Sequence, residues 1–276
     1  MTDGSIESVL ATVDDWGASF AAVTVMHDGA VVASHGERSR VVRIASITKL
    51  VTAWATLLAI EEGAVDLDDP LGPPGSSVRH ILCHASGLSF DSDIVLTPPA
   101  TRRIYSQRGY ELLGEHIATV TGIPFPGYVA EAVLQPLGMA SSELRGDAGA
   151  HLWSNIDDLA AFVNEVRRPT LIHPDTAMNF RTSQFPDLVG ILPGWGRQSP
   201  CSWGFGPEIR ATKEPHWSGS SAPPSTYGHF GGSGTFVWID PVADAACITL
   251  TDRDFGDWAV GAWPPFSDAV RAALIR

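Results

Sequence analysis

Hydrophobic and polar residues alternate with a period of two in two short runs near the start of the chain. Residues 20–26 and 30–35 lie on either side of Asp28-Gly29. An Asp-Gly pair between two β-prone runs predicts a hairpin, because glycine adopts the positive φ of a tight turn without strain. The pattern therefore predicts strands near the start, and strand-like runs return near the end, at residues 203–209, 234–239 and 245–251.

The apolar residues between positions 46 and 62 recur with the period of an α-helix. Their apolar side chains cover nearly the whole circumference of a helix, and Gly63 follows as a C-terminal stop. A helix that is apolar all round is expected in the interior. Further helices are predicted at residues 5–17, 77–84, 107–120, 128–134, 155–166 and 264–275.

The order of these elements predicts an α+β fold. Strands from both ends would form one antiparallel sheet, flanked by N- and C-terminal helices, and the middle of the chain would be an inserted all-helical subdomain. We expect residues 1–65 and 200–276 to form the sheet subdomain and residues 66–199 the helical one. An active site would lie in the cleft between them.

Composition and charge limit the classes of protein to which this chain can belong. The chain has 276 residues, 44% of them hydrophobic and 18% charged, which is typical of a globular protein with a sizeable core. Its formal net charge of −13 opposes binding to nucleic acid or anionic lipid. We therefore expect neither nucleic acid nor a membrane as partner. The sequence does not indicate the oligomeric state.

The first residues and the cysteines indicate a compartment. Residues 1–15 are polar and acidic, without a basic leader or an apolar run of signal-peptide length. Three scattered cysteines make a disulfide framework improbable and predict free buried thiols. The expected location is cytoplasmic, although a leader removed before residue 1 would change this.

The chain contains two lysines against sixteen arginines, and one of them, Lys49, follows Ser46 by three positions at the start of a predicted helix. One helical turn places the hydroxyl and the amine on the same face. A desolvated lysine can act as a base, which arginine cannot. Backbone N–H groups at the helix start would favour an oxyanion. The alternative is a capping serine followed by a solvated lysine, with codon bias explaining the scarcity of lysine.

Two later segments carry further candidates. Tyr105-Ser106-Gln107 precedes a predicted helix, and a nearby cation such as Lys49 would lower the pKa of the phenol so that it acts as a base. The alternative is a tyrosine that anchors a loop beside a capping serine. The second segment is His229-Phe230-Gly231-Gly232-Ser233-Gly234, which precedes a predicted strand. It is either the edge of a strand that contacts substrate, with the Gly232 N–H as an oxyanion donor, or a flexible turn.

Taken in order, these motifs resemble those of the penicillin-recognising serine hydrolases, of the class C β-lactamase, D-Ala-D-Ala carboxypeptidase and family VIII esterase type. Residues 81–88 resemble the LLxHxSGL stretch of that family, and residues 135–139 match its xPLGM stretch. The similarity covers roughly residues 21–251 and implies the fold predicted above. The motifs that carry it are Ser46-x-x-Lys49, Tyr105-Ser106-Gln107 and His229-Phe230-Gly231-Gly232.

The resemblance implies a serine hydrolase that forms an acyl-enzyme on Ser46. Lys49 and Tyr105 would share proton transfer as a coupled pair, and the N–H groups of Ser46 and Gly232 would hold the oxyanion. No cofactor and no metal are expected: His80, Cys83 and His84 are close in sequence but lack a fourth ligand. The predicted substrate-binding residues are Gln107, His229, Gly231, Gly232, Trp153 and Trp203.

Two positions depart from the family pattern. Gln107 stands where the family usually has Asn, and His229 stands where the β-lactamases have Lys. Loss of that cation weakens recognition of a substrate carboxylate, so we expect an esterase-like hydrolase of a small ester or amide before a β-lactamase.

Two other hypotheses remain open. The acyl group could pass to an amine or alcohol, as in a transacylase or cyclising enzyme. The chain could also be an inactive binding or sensing module, for which Gln107 is the sequence hint. In all three cases the expected cytoplasmic location argues against cell-wall peptide as substrate.

Overall fold

Strands from both ends of the chain form one sheet in the computed structural model, which describes residues 5–274. The strands are β1 (Ala21–His27), β2 (Ala30–His35), β3 (Val42–Arg43), β4 (Glu143–Leu144), β5 (Leu152–Ser154), β6 (Gly190–Leu192), β7 (Gly196–Gln198), β8 (Glu208–Ile209), β9 (Tyr227–Gly231), β10 (Thr235–Asp240) and β11 (Ala245–Thr251). The helices are α1 (Ile6–Ala11), α2 (Thr48–Glu61), α3 (Val78–Leu82), α4 (Gln107–Thr121), α5 (Phe125–Val129), α6 (Ile156–Arg167), α7 (Pro174–Arg181) and α8 (Asp257–Leu274). Shorter turns are the 3₁₀ segments Thr12–Trp16 and Ala45–Ile47 and the π-helical segment Ala130–Leu134.

The main sheet has the strand order β2-β1-β11-β10-β9-β8, with antiparallel pairs throughout. The predicted hairpin is confirmed: His27 pairs with Ala30, and Asp28 and Gly29 have φ values of 50° and 81°. The α+β fold with an antiparallel sheet is likewise confirmed. Its N- and C-terminal strands meet directly, because β1 pairs with β11 along its whole length.

Side chains along the strands point alternately to the two faces of the sheet, and each face packs into its own hydrophobic cluster. Phe236 and Trp238 of β10 face one side, where Phe236 packs against Trp263 of α8 with ring centroids 5.2 Å apart. Val237 and Ile239 face the other side and join the larger cluster around α2. A period of two thus buries both faces of the sheet, with α1 and α8 on one side.

Helix α2 lies in the interior of the protein, as its apolar pattern predicted. Every residue of α2 from Thr48 to Ala59 is buried, and Gly63 follows its end with a φ of 72°. The three cysteines are free and buried. Across the described part of the chain, no single helix is both long and apolar enough to cross a membrane.

The predicted strand at residues 203–209 is wrong for its first five residues. Only Glu208–Ile209 forms strand β8. Gly206 has a φ of 117°, and a Cβ on Gly204 would overlap the carbonyl oxygen of Phe180. Close packing of a glycine-rich backbone against the helix side therefore replaces strand pairing here.

A strand was also missed. Residues 229–231 were predicted to precede a strand, but they lie within β9, which pairs with β10 and β8. Glycines hid this strand from the pattern. They are needed, because a Cβ on Gly228 would overlap the carbonyl oxygen of Val237.

The middle of the chain, predicted to be all-helical, is mainly helical but also contains the short strands β4 to β7 and the unpredicted helix α7. At the C-terminus, α8 begins at Asp257 and includes Pro264, where the sequence predicted its start. Its predicted last residue, Ile275, lies outside the described residues. The division into two subdomains remains a prediction.

Candidate active site

Ser46 lies in the 3₁₀ segment that leads directly into α2. The residue is half-buried, so its hydroxyl is not sealed in the core. Ala45 before it has a φ of 46°, a left-handed conformation that costs a non-glycine residue about 1–3 kcal/mol. Such a turn persists only where the surrounding structure holds it.

Strands β9 and β10 hold this turn from the side opposite α2. The Thr235 hydroxyl donates to the carbonyl of Ile44 at 3.1 Å, and the Ser233 hydroxyl donates to the carbonyl of Arg43 at 2.7 Å. Gly231 lies so close that a Cβ there would overlap the Ile44 carbonyl. Gly231 was predicted to contact substrate, but the structure places it against the backbone of the turn.

Lys49 is fully buried, one helical turn after Ser46. Its Nζ lies 3.4 Å from Ser46 Oγ, 2.6 Å from Gln107 Oε1 and 2.8 Å from the Gly149 carbonyl. Within residues 5–274 no carboxylate contacts it directly. Burial lowers the pKa of Lys49 from 10.5 to about 7, although Asp147 and a second acid raise it from farther away. Near neutral pH a large fraction of this amine is therefore an unprotonated base.

Gln107 connects Lys49 to Asp147. Its Oε1 accepts from the ammonium, and its Nε2 donates to Asp147 Oδ1 at 2.5 Å. The same carboxylate oxygen accepts the Gly149 N–H at 2.9 Å. Because a Cβ on Gly149 would overlap the Gln107 amide, only glycine fits there. The loop at residues 147–149 and Gln107 thus fix the amine beside Ser46.

Tyr105 and His229 meet on the other side of Ser46. His229 Nδ1 lies 2.6 Å from the Phe230 carbonyl oxygen, which can only accept, so Nδ1 carries the proton and Nε2 is an acceptor. The Tyr105 hydroxyl lies 3.4 Å from that Nε2. Burial, aided by the charge of Lys49, lowers the pKa of His229 to about 3, and burial raises the pKa of Tyr105. At neutral pH His229 is therefore uncharged and Tyr105 keeps its proton.

A cavity of about 180 Å³ opens over Ser46. Trp203 and Gly232, both predicted to bind substrate, line it, but Trp153 does not. Trp153 lies in β5, with the guanidinium of Arg145 4.8 Å from its ring centroid. The walls are mainly apolar and aromatic, formed by Ser46, Phe90, Tyr105, Leu192, Pro193, Trp203, Glu208, His229, Phe230, Gly232 and Phe255.

Comparison with known sequences places this chain among related proteins. A sequence profile of the family described as Beta-lactamase matches residues 11–266, which include the whole site described above. The chain belongs to the β-lactamase family. Its fold and sequence are those of this family of serine hydrolases.

Solved structures and curated relatives agree with this assignment. A β-lactamase from Mycobacterium bovis is 46% identical, with a TM-score of 0.94, and the match covers 96% of this chain and 99% of that one. EstCE1, a hydrolase with promiscuous acyltransferase activity, has the same fold at 18% identity, with a TM-score of 0.79 and coverage of 96% and 97%. A putative D-alanyl-D-alanine carboxypeptidase of Escherichia coli O157:H7 is 26% identical over 211 residues, 56% of this chain and 46% of the relative. The chain therefore spans about half the length of that relative.

This member of the β-lactamase family accommodates its two departures structurally. The longer Gln107 fits because Gly149 has no side chain, and it still reaches Lys49. His229, standing where β-lactamases have Lys, is neutral and tied to the Phe230 carbonyl. The first departure preserves contact with the amine, whereas the second removes a charge from the cavity.

The sequence analysis missed Asp147 and Glu208. Asp147 lies 40 positions from Gln107, and no motif marks its loop. Glu208 lines the cavity from β8, but its carboxylate contacts Lys213 Nζ at 2.9 Å and accepts from the Trp217 indole at 2.7 Å. These contacts of Asp147 and Glu208 do not follow a helical or strand period, so no pattern in the sequence indicated either residue.

Proposed function

We propose that this protein hydrolyses an ester or amide of a small molecule through an acyl-enzyme on Ser46, with esters preferred to β-lactams. One observation carries the proposal: the buried Lys49 amine, with a pKa of about 7, lies 3.4 Å from the Ser46 hydroxyl. A base beside a nucleophile is the arrangement that acyl transfer requires.

In the proposed acylation, Lys49 Nζ takes the proton of Ser46 as Oγ attacks the substrate carbonyl. The N–H groups of Ser46 and Gly232 hold the oxyanion. Tyr105, which keeps its proton, donates to the leaving group and is resupplied by the Lys49 ammonium, so the proton from Ser46 leaves with the product. In deacylation a water molecule gives a proton to Lys49 as its oxygen attacks the acyl carbon, and the Lys49 ammonium returns that proton to Ser46 Oγ as the ester bond to Ser46 breaks.

The electrostatics of the cavity support esters over β-lactams. A β-lactam carries a carboxylate, which needs a cation to replace its hydration. His229 is neutral, and the charge of Glu208 on the cavity wall is paired with Lys213, so the described residues of the wall offer no free cation to a carboxylate. An uncharged ester avoids the cost of bringing a carboxylate to this wall without a cation.

Acyl transfer to an alcohol or amine is a second candidate. It is supported by the apolar walls of the cavity, which favour an organic acceptor over water, and by the acyltransferase activity named for the structural neighbour EstCE1. An inactive binding module is less well supported, because Gln107, its hint in the sequence, contacts Lys49 at 2.6 Å.

The test is intact mass spectrometry after incubation with a fluorophosphonate, a penicillin and p-nitrophenyl acetate. We expect labelling of wild type and a loss of esterase activity of about 10³-fold or more in Ser46→Ala. Ser225→Ala, at an exposed serine, is the matched control and should behave as wild type. Equal ester hydrolysis by Ser46→Ala and wild type would contradict the mechanism. Ester products formed with added alcohol would indicate the transferase, and rapid penicillin turnover would indicate a β-lactamase.

A further inference from the structure

Large apolar side chains are exposed on two segments beside the cavity. Phe90, Ile94, Val95 and Leu96 lie in the turn after α3, and Ile191 lies in β6; their exposed fractions range from 50% to 63%. We call these five residues the apolar rim. They are five of the six large hydrophobic residues that are at least half exposed within residues 5–274, so the exposure is concentrated on these two segments. Clustered exposed apolar surface commonly marks a binding site.

The rim is held rigidly. The N–H of Ser89 donates to the Ile94 carbonyl at 2.8 Å, which closes the turn on itself. The N–H groups of Gln107 and Arg108 donate to the Phe90 carbonyl at 2.7 and 3.0 Å, which fastens the turn to the start of α4. These contacts fix the apolar side chains outside the core.

The rim is continuous with the cavity over Ser46. Phe90 belongs to both, and its ring stacks on Tyr105 with centroids 6.0 Å apart and planes 21° apart. On the other segment, Leu192 and Pro193 line the cavity, and Ile191, next to Leu192 in β6, has its side chain on the exposed face of that strand. The apolar path from the nucleophile to the outer surface therefore runs through Phe90.

The cavity is too small to enclose a long substrate. At about 180 Å³ it is smaller than the roughly 300–1,000 Å³ of sites that enclose a drug-sized ligand. A longer substrate would leave part of its length outside, and the adjoining surface is apolar. Such a chain would gain free energy by covering the rim.

We propose that the apolar rim binds the outer part of a linear alkyl chain of the substrate, so that the substrate is a lipophilic ester with a chain too long for the cavity. This inference rests on the proposed function, because it assumes that Ser46 is acylated. The chain is either the acyl group or the alcohol, and both have the same chemistry.

The test measures kcat/KM for p-nitrophenyl esters from acetate to decanoate, and for alkyl acetates from ethyl to decyl. For wild type we expect a rise along one series, by up to about fourfold for each methylene that becomes fully buried. The series that rises identifies the acyl or the alcohol side. In Ile94→Ser/Ile191→Ser the ratio of the longest to the shortest ester should fall by about tenfold or more. The matched control is Val120→Ser/Val242→Ser, at two exposed valines outside the rim, which should keep the wild-type ratio.

The outcomes separate the two proposals. If no ester is hydrolysed and Ser46 is not labelled, the proposed function fails, and the rim proposal fails with it. If acetate is hydrolysed but the ratio is the same in wild type and the rim variant, only the rim proposal is overturned. An unchanged ratio with altered sedimentation or altered binding to lipid vesicles would instead assign the rim to a second copy or to a membrane surface.

Discussion

Lys49 and Lys213, the two lysines of the chain, are both fully buried but have different neighbours. Lys213 Nζ lies 2.9 Å from Glu208 Oε1 and donates to the Ser202 carbonyl at 2.8 Å. Lys49 Nζ contacts a hydroxyl, an amide oxygen and a backbone carbonyl. One ammonium has a countercharge in contact and the other has neutral dipoles.

The difference shows what makes a buried lysine reactive. Burial disfavours the charged form, and a contacting carboxylate compensates for it. Although burial alone would raise the pKa of Glu208, Lys213 and His216 hold it well below its usual range, so this pair is a structural ion pair. Among the described residues, 5–274, Lys49 has no such partner, and burial lowers its pKa to about 7. The same side chain is thus the partner in an ion pair at one position and, in the proposed mechanism, the base at the other.

The largest expected effect comes from making the same substitution at both lysines. Lys49→Arg keeps a positive charge that cannot be lost, so kcat/KM for p-nitrophenyl acetate should fall by about 10²–10⁴-fold. Lys213→Arg keeps the ion pair and should change kcat/KM far less, at a stability cost of about 1–3 kcal/mol for the extra volume. Steady-state kinetics and urea unfolding measure the two. Equal losses of activity would show that both lysines are structural.

Breaking the ion pair should act on stability. Glu208→Gln leaves the Lys213 ammonium buried without its carboxylate, and the free energy of unfolding should fall by about 3–5 kcal/mol. In Glu208→Gln/Lys213→Met neither charge remains, so the double variant should lose less than the sum of the two single variants. Urea denaturation measures all four proteins. Strictly additive losses would contradict a direct interaction.

The smallest expected effect is on the pH dependence. Only the neutral amine accepts a proton, so kcat/KM for an uncharged ester should rise with pH through an apparent pKa near 7. Because the charge of Asp147 raises the pKa of Lys49, Asp147→Asn should move this limb to lower pH by up to about one unit. Glu111→Gln should shift it in the same direction but less, since its influence is weaker.

The matching measurement is a pH–rate profile of wild type and both acid variants. A limb that stays in place in Asp147→Asn, or that moves to higher pH, would assign it to a group other than Lys49.

Elements with a clear local signal were predicted well. The hairpin at Asp28-Gly29 and the helix predicted at residues 107–120, which is α4, depend on residues a few positions apart, and both were found. Strand β9 was missed, and five residues of the predicted strand at 203–209 were wrong, because glycines there serve close packing against distant segments. Periodicity carries no information about such neighbours.

The candidate site divides in the same way. Motif order led to Ser46, Lys49, Tyr105, Gln107 and His229, which the structure brings around one cavity or its adjoining network; their roles in the reaction remain predictions. Trp153 was predicted to bind substrate but does not line this cavity, because nothing in the sequence of an aromatic residue indicates which surface it faces. Asp147 was missed because it meets Gln107 only through the fold.

The sequence alone predicted that a serine and a lysine lie one helical turn apart at the start of a buried helix. It could do so because the spacing of the two residues and the apolar pattern of the helix are both local. In the part of the chain that the structure describes, the fold placed a carboxylate against Lys213 and none against Lys49. It did so by bringing together groups as far apart as Lys49 and Gly149, 100 positions away. A pKa depends on burial and on nearby charge, and both are properties of neighbours in space.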